Sequence, residues 1–484
     1  MERLLSCAGT GTLYLKVTIA TLPDDTLLDI FDFHVRNTYI GGPHGWPTLV
    51  HVCQRWRNLV YASPRRLDLQ LCCTQKTPAR KMLDIWPALP IIIDSGHSVD
   101  QVSPAEGADN VMAALEHHGR VRVISLDKGV SSPLLRRIAS TLQEPFPELK
   151  EVWFNSASSD GSAPALPDSF LASAPRLELL RLDSIPFPAL GKLLFSASHL
   201  VYLYLEGIPH SGYISPEAMV SGLSALPGLK SFILEFHSPR SRPDQIIQHP
   251  SSTRVLLPAL TYFRFKGVGE YLEDLTAQID APQLCDIGIM FFNQLIFGTS
   301  RLLKFIARIE RLKALSRAEV VFSPDFVQLR LAPRAQPGPS NDARLSLSTS
   351  CRESDWQLSS VTQFCTSSLP SLPTLESLYV SEHRPTKLPH GLDDIEKAQW
   401  IEALHPFTAV KDLHLTRELV VRVLGALQEL PWEGGTNMLP ALQSLFIEGF
   451  EPSESLQESI TQFVTARQLA GHPVALHHWK REIW

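Results

Sequence analysis

One hydrophobic spacing, apolar-x-x-apolar-x-apolar, recurs from residue 121 to residue 447. It occurs as Val121/Ile124/Leu126, Leu149/Val152/Phe154, Leu177/Leu180/Leu182, Leu200/Leu203/Leu205, Leu229/Phe232/Leu234, Leu260/Phe263/Phe265 and Leu284/Ile287/Ile289. Weaker or later copies are Leu315/Ala318/Val320, Leu375/Leu378/Val380, Val410/Leu413/Leu415 and Leu442/Leu445/Ile447. The last two apolar positions of each copy are two apart, so they point to one side of a short strand, and the first falls in the turn before it. Proline often precedes that first position, as in Phe146-Pro147-Glu148-Leu149, Leu226-Pro227-Gly228-Leu229 and Leu439-Pro440-Ala441-Leu442. There it ends a helix and sets up extended backbone. Helical spacing stands ahead of many copies: Leu190/Leu193/Leu194, Met219/Leu223/Leu226, Leu272/Leu275/Ile279, Phe305/Ile309/Leu312 and Ile401/Leu404/Phe407. The predicted unit is helix, proline turn, strand.

Upstream the spacing changes to that of two amphipathic helices. The first follows Leu22-Pro23, with Asp24 and Asp25 where carboxylates suit free amide donors and the helix dipole. Its apolar side is Leu27, Leu28, Ile30, Phe31 and Val35. The second has Pro47 near its start, carries Leu49, Val52, Cys53, Trp56, Leu59 and Val60 on one face, and stops at Ser63-Pro64. Beyond it, the alternation of Leu67, Leu69 and Leu71 predicts a short strand, residues 81–86 a helix and residues 89–94 a buried strand.

Most copies of the repeat lie roughly 23 to 35 residues apart, which suits leucine-rich repeats. Stacked units of this kind bury one continuous core and form a curved parallel sheet with helices on its outer face. A doubly wound α/β enzyme would also alternate helix and strand, but no Gly-rich strand-to-helix turn follows any copy; Gly267-Val268-Gly269 lacks the third glycine. The position usually held by Asn or Cys, eight after the first leucine, is Ile185, Ile208, His237, Val268, Phe292 or Phe450, so no asparagine ladder is expected and the coils should be irregular. Between Phe322 and Leu372 the array is interrupted. Val327/Leu329/Leu331 and Leu345/Leu347 predict a hairpin with a mobile tip, which could also continue the array. Ser455-x-x-Glu458 predicts a capping box, Gly471 a helix C-cap, and Val474 to His477 a final strand. Surface loops are expected at 157–164, 238–252 and 381–392.

The helical stretch resembles an F-box. The resemblance rests on Leu22-Pro23, the Leu27/Leu28-x-Ile30-Phe31 run and Val52-Cys53-x-x-Trp56-x-x-Leu59, and covers residues 18–66 only. The loop from Arg36 to Gly45 is longer than in a minimal F-box, as in fungal versions. On that resemblance Leu22, Pro23, Leu27, Ile30, Phe31, Val52, Cys53, Trp56 and Leu59 are the adaptor-binding positions. The fold class expected is α/β: a small all-helical F-box module followed by an irregular leucine-rich-repeat solenoid. Residues 1–17 are expected to be disordered or loosely attached. Residues 67–117 connect into the array, and residues 118–484 form it, with the hairpin near 322–370 and a helical cap near 453–471.

The chain has 484 residues, 44% hydrophobic and 19% charged, enough for a large core. A net charge of −6 with no basic run argues against nucleic acid as a partner. Seven cysteines, odd in number and without Cys-x-x-Cys spacing, disfavour a disulfide framework or zinc site and fit a reducing compartment. No signal peptide or membrane span is expected, which points to a cytoplasmic or nuclear protein. His472, His477 and His478 lack companion ligands at metal spacing. No nucleophile, P-loop or zincin motif is present, so neither catalytic residues nor cofactors are expected.

In the repeat register Trp153, Arg181, Tyr202, Tyr204 and Arg264 fall on the outward face of the strands. They read either as anchors for a bound protein or as packing against neighbouring loops. An F-box joined to leucine-rich repeats resembles the substrate receptors of SCF-type cullin–RING ubiquitin ligases. That resemblance implies a non-catalytic subunit that binds a Skp-family adaptor, through it a cullin, and a protein substrate. The alternatives are an interaction scaffold, or a ligand sensor, not engaged in degradation.

Overall fold

The computed structural model describes residues 19–38, 45–75, 78–86, 88–95, 104–158, 162–239, 254–292, 299–333, 344–351, 354–366, 369, 371–382, 394–428, 438–448 and 454–479. The chain divides into two compact units, residues 1–122 and 123–484. The expectations for residues 1–17, the tip of the hairpin and most of the loops at 238–252 and 381–392 lie outside the described residues.

The first unit opens with helices α1 (Asp24–Thr38), α2 (Gly45–Val50) and α3 (Gln54–Ala62). The second predicted helix is therefore two. His51 and Val52 close α2 by donating to the carbonyls three residues back, Thr48 O and Leu49 O, at 3.3 Å each, Cys53 is fully extended (φ −159°, ψ 169°), and Arg57 Nε donates to Val50 O at 2.9 Å. The break takes Val52 and Cys53 off the buried face predicted for them; both are exposed. The expected strand at Leu67 is also a correction. Leu67 and Leu69 are buried, but in a turn whose Asp68 has φ 43°, and β1 (Leu71–Thr74) begins only at the third leucine. Next come α4 (Ala79–Ile85), β2 (Ile91–Asp94), parallel to β1, and α5 (Pro104–Leu115). Burial pushes the Cys72 and Cys73 thiols of β1 up, to about 12 and about 11.

The second unit begins with β3 (Val121–Val130), α6 (Ser132–Thr141), β4 (Glu151–Ser156), β5 (Leu179–Asp183), α7 (Leu190–Ser196), β6 (Tyr202–Ile208), α8 (Pro216–Leu223) and β7 (Ser231–Phe236). It continues with β8 (Val255–Leu256), β9 (Tyr262–Gly267), α9 (Gly269–Gln278), β10 (Ile279–Asp280), β11 (Asp286–Phe291) and α10 (Ser300–Ala307). Then come β12 (Arg317–Ser323), β13 (Phe326–Ala332), β14 (Arg344–Ser350), α11 (Ser354–Thr366), β15 (Ser377–Glu382) and α12 (Asp394–Leu404). Last are β16 (Asp412–Leu415), α13 (Arg417–Gln428), β17 (Ser444–Glu448), α14 (Glu454–Leu469) and β18 (Ala475–Trp479). β8 and β10 pair separately; the other strands form one sheet in the order β3-β4-β5-β6-β7-β9-β11-β14-β13-β12-β15-β16-β17-β18.

Every residue of the repeated spacing is at most 3% exposed, so the pattern is a true core row. It aligns across the sheet, Leu180 opposite Leu203 and Leu203 opposite Phe232. Successive helices pack on one another from α7 to α10 and from α11 to α14. Between β4 and β5 the described residues form no helix; Leu166, Phe170 and Leu171 fill the core, Leu171 from a turn in which it has φ 55°.

The proline before each strand has a specific place. Leu149, Leu177, Leu229, Leu260, Leu284, Leu375 and Leu442 each donate their N–H to the residue three earlier, making Pro147, Pro175, Pro227, Pro258, Pro282, Pro373 and Pro440 the second residue of a β-turn. Proline's fixed φ suits that position. One residue further on, a single carbonyl accepts from two consecutive N–H groups of the next coil. Lys150 O binds Glu178 and Leu179, Glu178 O binds Val201 and Tyr202, Val201 O binds Lys230 and Ser231, and Lys230 O binds Thr261 and Tyr262. Ser316, Glu376 and Lys411 repeat the arrangement later. The coils are thus joined by main chain, with no asparagine ladder. At the position where asparagine would stand, Ile185, Ile208 and Phe292 are buried as apolar filler.

The hairpin is not an appendage. β14 runs parallel beside β11, β13 antiparallel between β14 and β12, and β12 parallel beside β15. It therefore continues the sheet by two strands, placed between β11 and β12. At the far end α14 starts at Glu454, which puts Ser455 inside the first turn and corrects the predicted capping box. Gly471 has φ 81°, and His472 N–H reaches Arg467 O at 2.9 Å, as a C-cap requires. Arg467, 1% exposed, donates to Met438 O, Leu439 O and Leu442 O at 3.4, 3.2 and 3.4 Å. Arg467→Met would strip those carbonyls of their donor and is expected to lower unfolding free energy by roughly 3 kcal/mol; urea denaturation of the full chain measures it.

Candidate functional site

The helical module is clamped by two arginines. Arg55 of α3 donates to Asp24 Oδ1 and to Leu22 O, both at 2.6 Å, which holds Leu22-Pro23 against α3. Arg66 spans Asp25 (3.0 Å) and Asp29 (2.8 Å). These pairs are largely exposed, so each contributes little alone. Inside the module, Leu27 and Phe31 are fully buried, and Phe31 packs on Trp56 with ring centroids 4.7 Å apart. Leu22, Trp56 and Leu59 are half-buried. Pro23, Ile30, Val52 and Cys53 are exposed. The nine predicted positions therefore divide into residues that hold the helices together and residues that face outward. Phe33, not among them, is 71% exposed beside Ile30 at 40%, one turn apart on the same face of α1. Its sequence signal was an apolar residue off the buried stripe.

On the sheet, cross-strand register brings Trp153, Arg181 and Tyr204 side by side, followed by Ile233 and Arg264. The Arg181 guanidinium lies 4.4 Å over the Trp153 ring and 5.9 Å from Tyr204, and pairs with Glu206 at 2.7 Å. Tyr202, 38% exposed, lies with its ring tilted 53° to that of Tyr204, centroids 6.3 Å apart. Arg264 is held apart by Ile233 and pairs with Glu235 at 2.7 Å. Burial raises the Glu235 carboxyl above its ordinary range, with Arg264 opposing and Glu206 adding to the shift. Three of the five predicted residues thus form one stacked group, with Tyr202 at its rim and Arg264 outside it.

The same register continues where sequence reasoning stopped. Tyr379, His414, Phe446 and His477 stand side by side on β15 to β18. Their rings stack, Tyr379 on His414 at 3.9 Å, His414 on Phe446 at 4.2 Å and Phe446 on His477 at 4.8 Å. Arg317 lies 3.8 Å over the outer face of Tyr379. His414 is 8% exposed, and burial, reinforced by Arg317, pushes its imidazole down to about 4. Counting four residues on from Leu375, Val410 and Leu442, as Trp153 follows Leu149, would have found this row.

Among the described residues no group of His, Cys, Asp and Glu is placed to hold a metal, and no helix is long and apolar enough to cross a membrane. A cavity of about 10 Å³ lined by Tyr213, Phe236, Val268, Tyr271 and Phe292 is of water size. These features define a leucine-rich-repeat-like α/β array in the second unit and a helical module in the first, each with exposed apolar or aromatic side chains. No family model and no curated protein matches the chain. Among solved structures, the leucine-rich repeat-containing protein LegL7 from Legionella pneumophila is similar: 12% identical over 70% of this chain and 96% of that one, with a TM-score of 0.29. That likeness is too slight to carry an argument; the repeat architecture rests on register and burial.

Two outcomes are expected. Phe31→Ala should cost about 3–5 kcal/mol of stability and Phe33→Ala almost none, by chemical denaturation. His414 resists protonation when folded, so the unfolded state takes the proton first as pH falls below about 6.5. Stability should then decline on the order of 3 kcal/mol by pH 4 through this group. His414→Phe should flatten that part of the Tm–pH curve.

Proposed function

We propose that this chain is the substrate-recognition subunit of an SCF-type ubiquitin ligase. In this reading Pro23, Ile30, Val52 and Cys53, with Phe33 added, contact a Skp-family adaptor and through it a cullin. The outward sheet face holds a protein substrate. The carrying observation is that motif-matched apolar residues of the helical module face solvent, Val52 at 59% and Ile30 at 40% exposed, while Leu27 and Phe31 form the core beneath. Exposed apolar side chains on a clamped helical scaffold are what a partner desolvates. The chain performs no bond chemistry; it raises the local concentration of substrate near the conjugating enzyme by tethering. The reading places it in the cytoplasm or nucleus.

The test is co-purification of adaptor and cullin with the full chain and with an Ile30→Asp/Val52→Asp variant. Both positions are exposed, so the variant should keep its Tm while adaptor binding falls at least about 30-fold, as for loss of an interface hot spot. Failure of the native chain to capture adaptor sinks the reading and leaves an interaction scaffold.

A further inference from the structure

The outward row of the sheet ends in stacked rings whose faces cover one another. Tyr379 and His414 are 10° from coplanar and His414 and Phe446 8°, so only ring edges point away from the strands. Across those edges lies Trp479, 5.6 Å from Tyr379 at 63° and 5.3 Å from His414 at 72°. It arrives from β18, separated from β15 by β16 and β17 in the strand order. The strand delivering it pairs with β17 along its length but buries little side-chain surface. Ala475, Leu476, His477 and His478 are all exposed, and Leu476 is 39% exposed although it sits opposite fully buried Leu445. A sheet-edge strand with so little burial opens at low cost.

We propose that the ring edges of Tyr379 and His414 are a docking site for an aromatic side chain on an extended partner peptide, and that Trp479 on β18 occupies the site until displaced. The chain's own tryptophan shows the chemistry accepted: a flat ring set edge-to-face on the row, the arrangement aromatic quadrupoles favour. Arg317, stacked on the far side of Tyr379, closes that end of the row, while exposed His477 leaves the other end open. Occupancy by Trp479 reduces apparent affinity to the intrinsic value multiplied by the fraction of time β18 leaves the site open. The proposal rests on reading the sheet face as the cargo surface and narrows it to one class of segment.

The probe is a synthetic peptide of Val474 to Trp479 titrated onto the full chain by fluorescence anisotropy. The Trp479→Ala chain should bind it at least ten-fold more tightly than the native chain, and the same peptide with its tryptophan replaced by alanine should not bind. Adding His414→Ala to Trp479→Ala should abolish the gain, with Tm recorded to show that this chain is folded. Equal binding by native and Trp479→Ala chains, binding of the tryptophan-free peptide, or no binding to the Trp479→Ala chain overturns the proposal. Adaptor capture by the Trp479→Ala chain is read in parallel. Its loss or absence speaks to the ligase reading alone, and the peptide result speaks to the docking site alone.

Discussion

The array depends on one main-chain contact: the carbonyl after each first leucine, shared by two amides of the next coil. Those groups sit just before the strands, after a turn that holds proline at Pro147, Pro175, Pro227, Pro258 and Pro373. Paired, these carbonyls and amides are satisfied by main chain of the neighbouring coil and need no side-chain partner. Shared between coils, they fix the spacing of successive strands before any side chain is considered. That relieves the side chains of a polar duty. Ile185, Ile208 and Phe292 are then free to be apolar, and irregular coil lengths are tolerated because register is set at one point per coil. At the margins of the inserted strands Ser316 O is shared by Glu376 and Ser377, while Cys285 O accepts from Arg344 N–H.

With register fixed, the side chains of one row are forced into line. On β4 to β6 that line makes the Trp153–Arg181–Tyr204 stack, and on β15 to β17 the Tyr379–His414–Phe446 stack. Neither needs residues close in sequence, because the period of the array brings them together. The helical module works on different terms. What marks it is which apolar residues the fold leaves outside, and the break at Cys53 decides that for Val52. A binding surface on such a module is a by-product of imperfect amphipathicity, whereas a surface on the sheet follows from repetition.

The repeat core was legible because burial imposes period two within each strand, and an apolar residue at every inward position leaves a trace that loops cannot erase. The turns were legible through proline. Other features left weaker traces. The carbonyl ladder is main chain and writes nothing into residue identity. The placement of β14 beside β11 depends on strand order, which hydrophobic alternation at Val327 and Leu345 does not encode. Arg467 reads as a surface cation on α14, and only the fold shows three carbonyls around it. In the helical module, Val52 and Cys53 fit a continuous helical face by spacing, yet local bonds at His51 and Arg57 end one helix and begin another. The outward row was half found: Trp153 and Tyr204 drew notice as adjacent aromatics, while Tyr379, His414 and Phe446 stand singly in three distant coils.

Residue-resolved hydrogen exchange on the full chain tests the ladder most directly. The amides of Glu178, Val201, Lys230, Thr261, Lys411 and Gln443 should exchange as slowly as the strand centres that follow them, since both open only when coils separate. Fast exchange at those amides beside protected strand centres would contradict the account, because register would then be held by side-chain packing and not by the shared carbonyls.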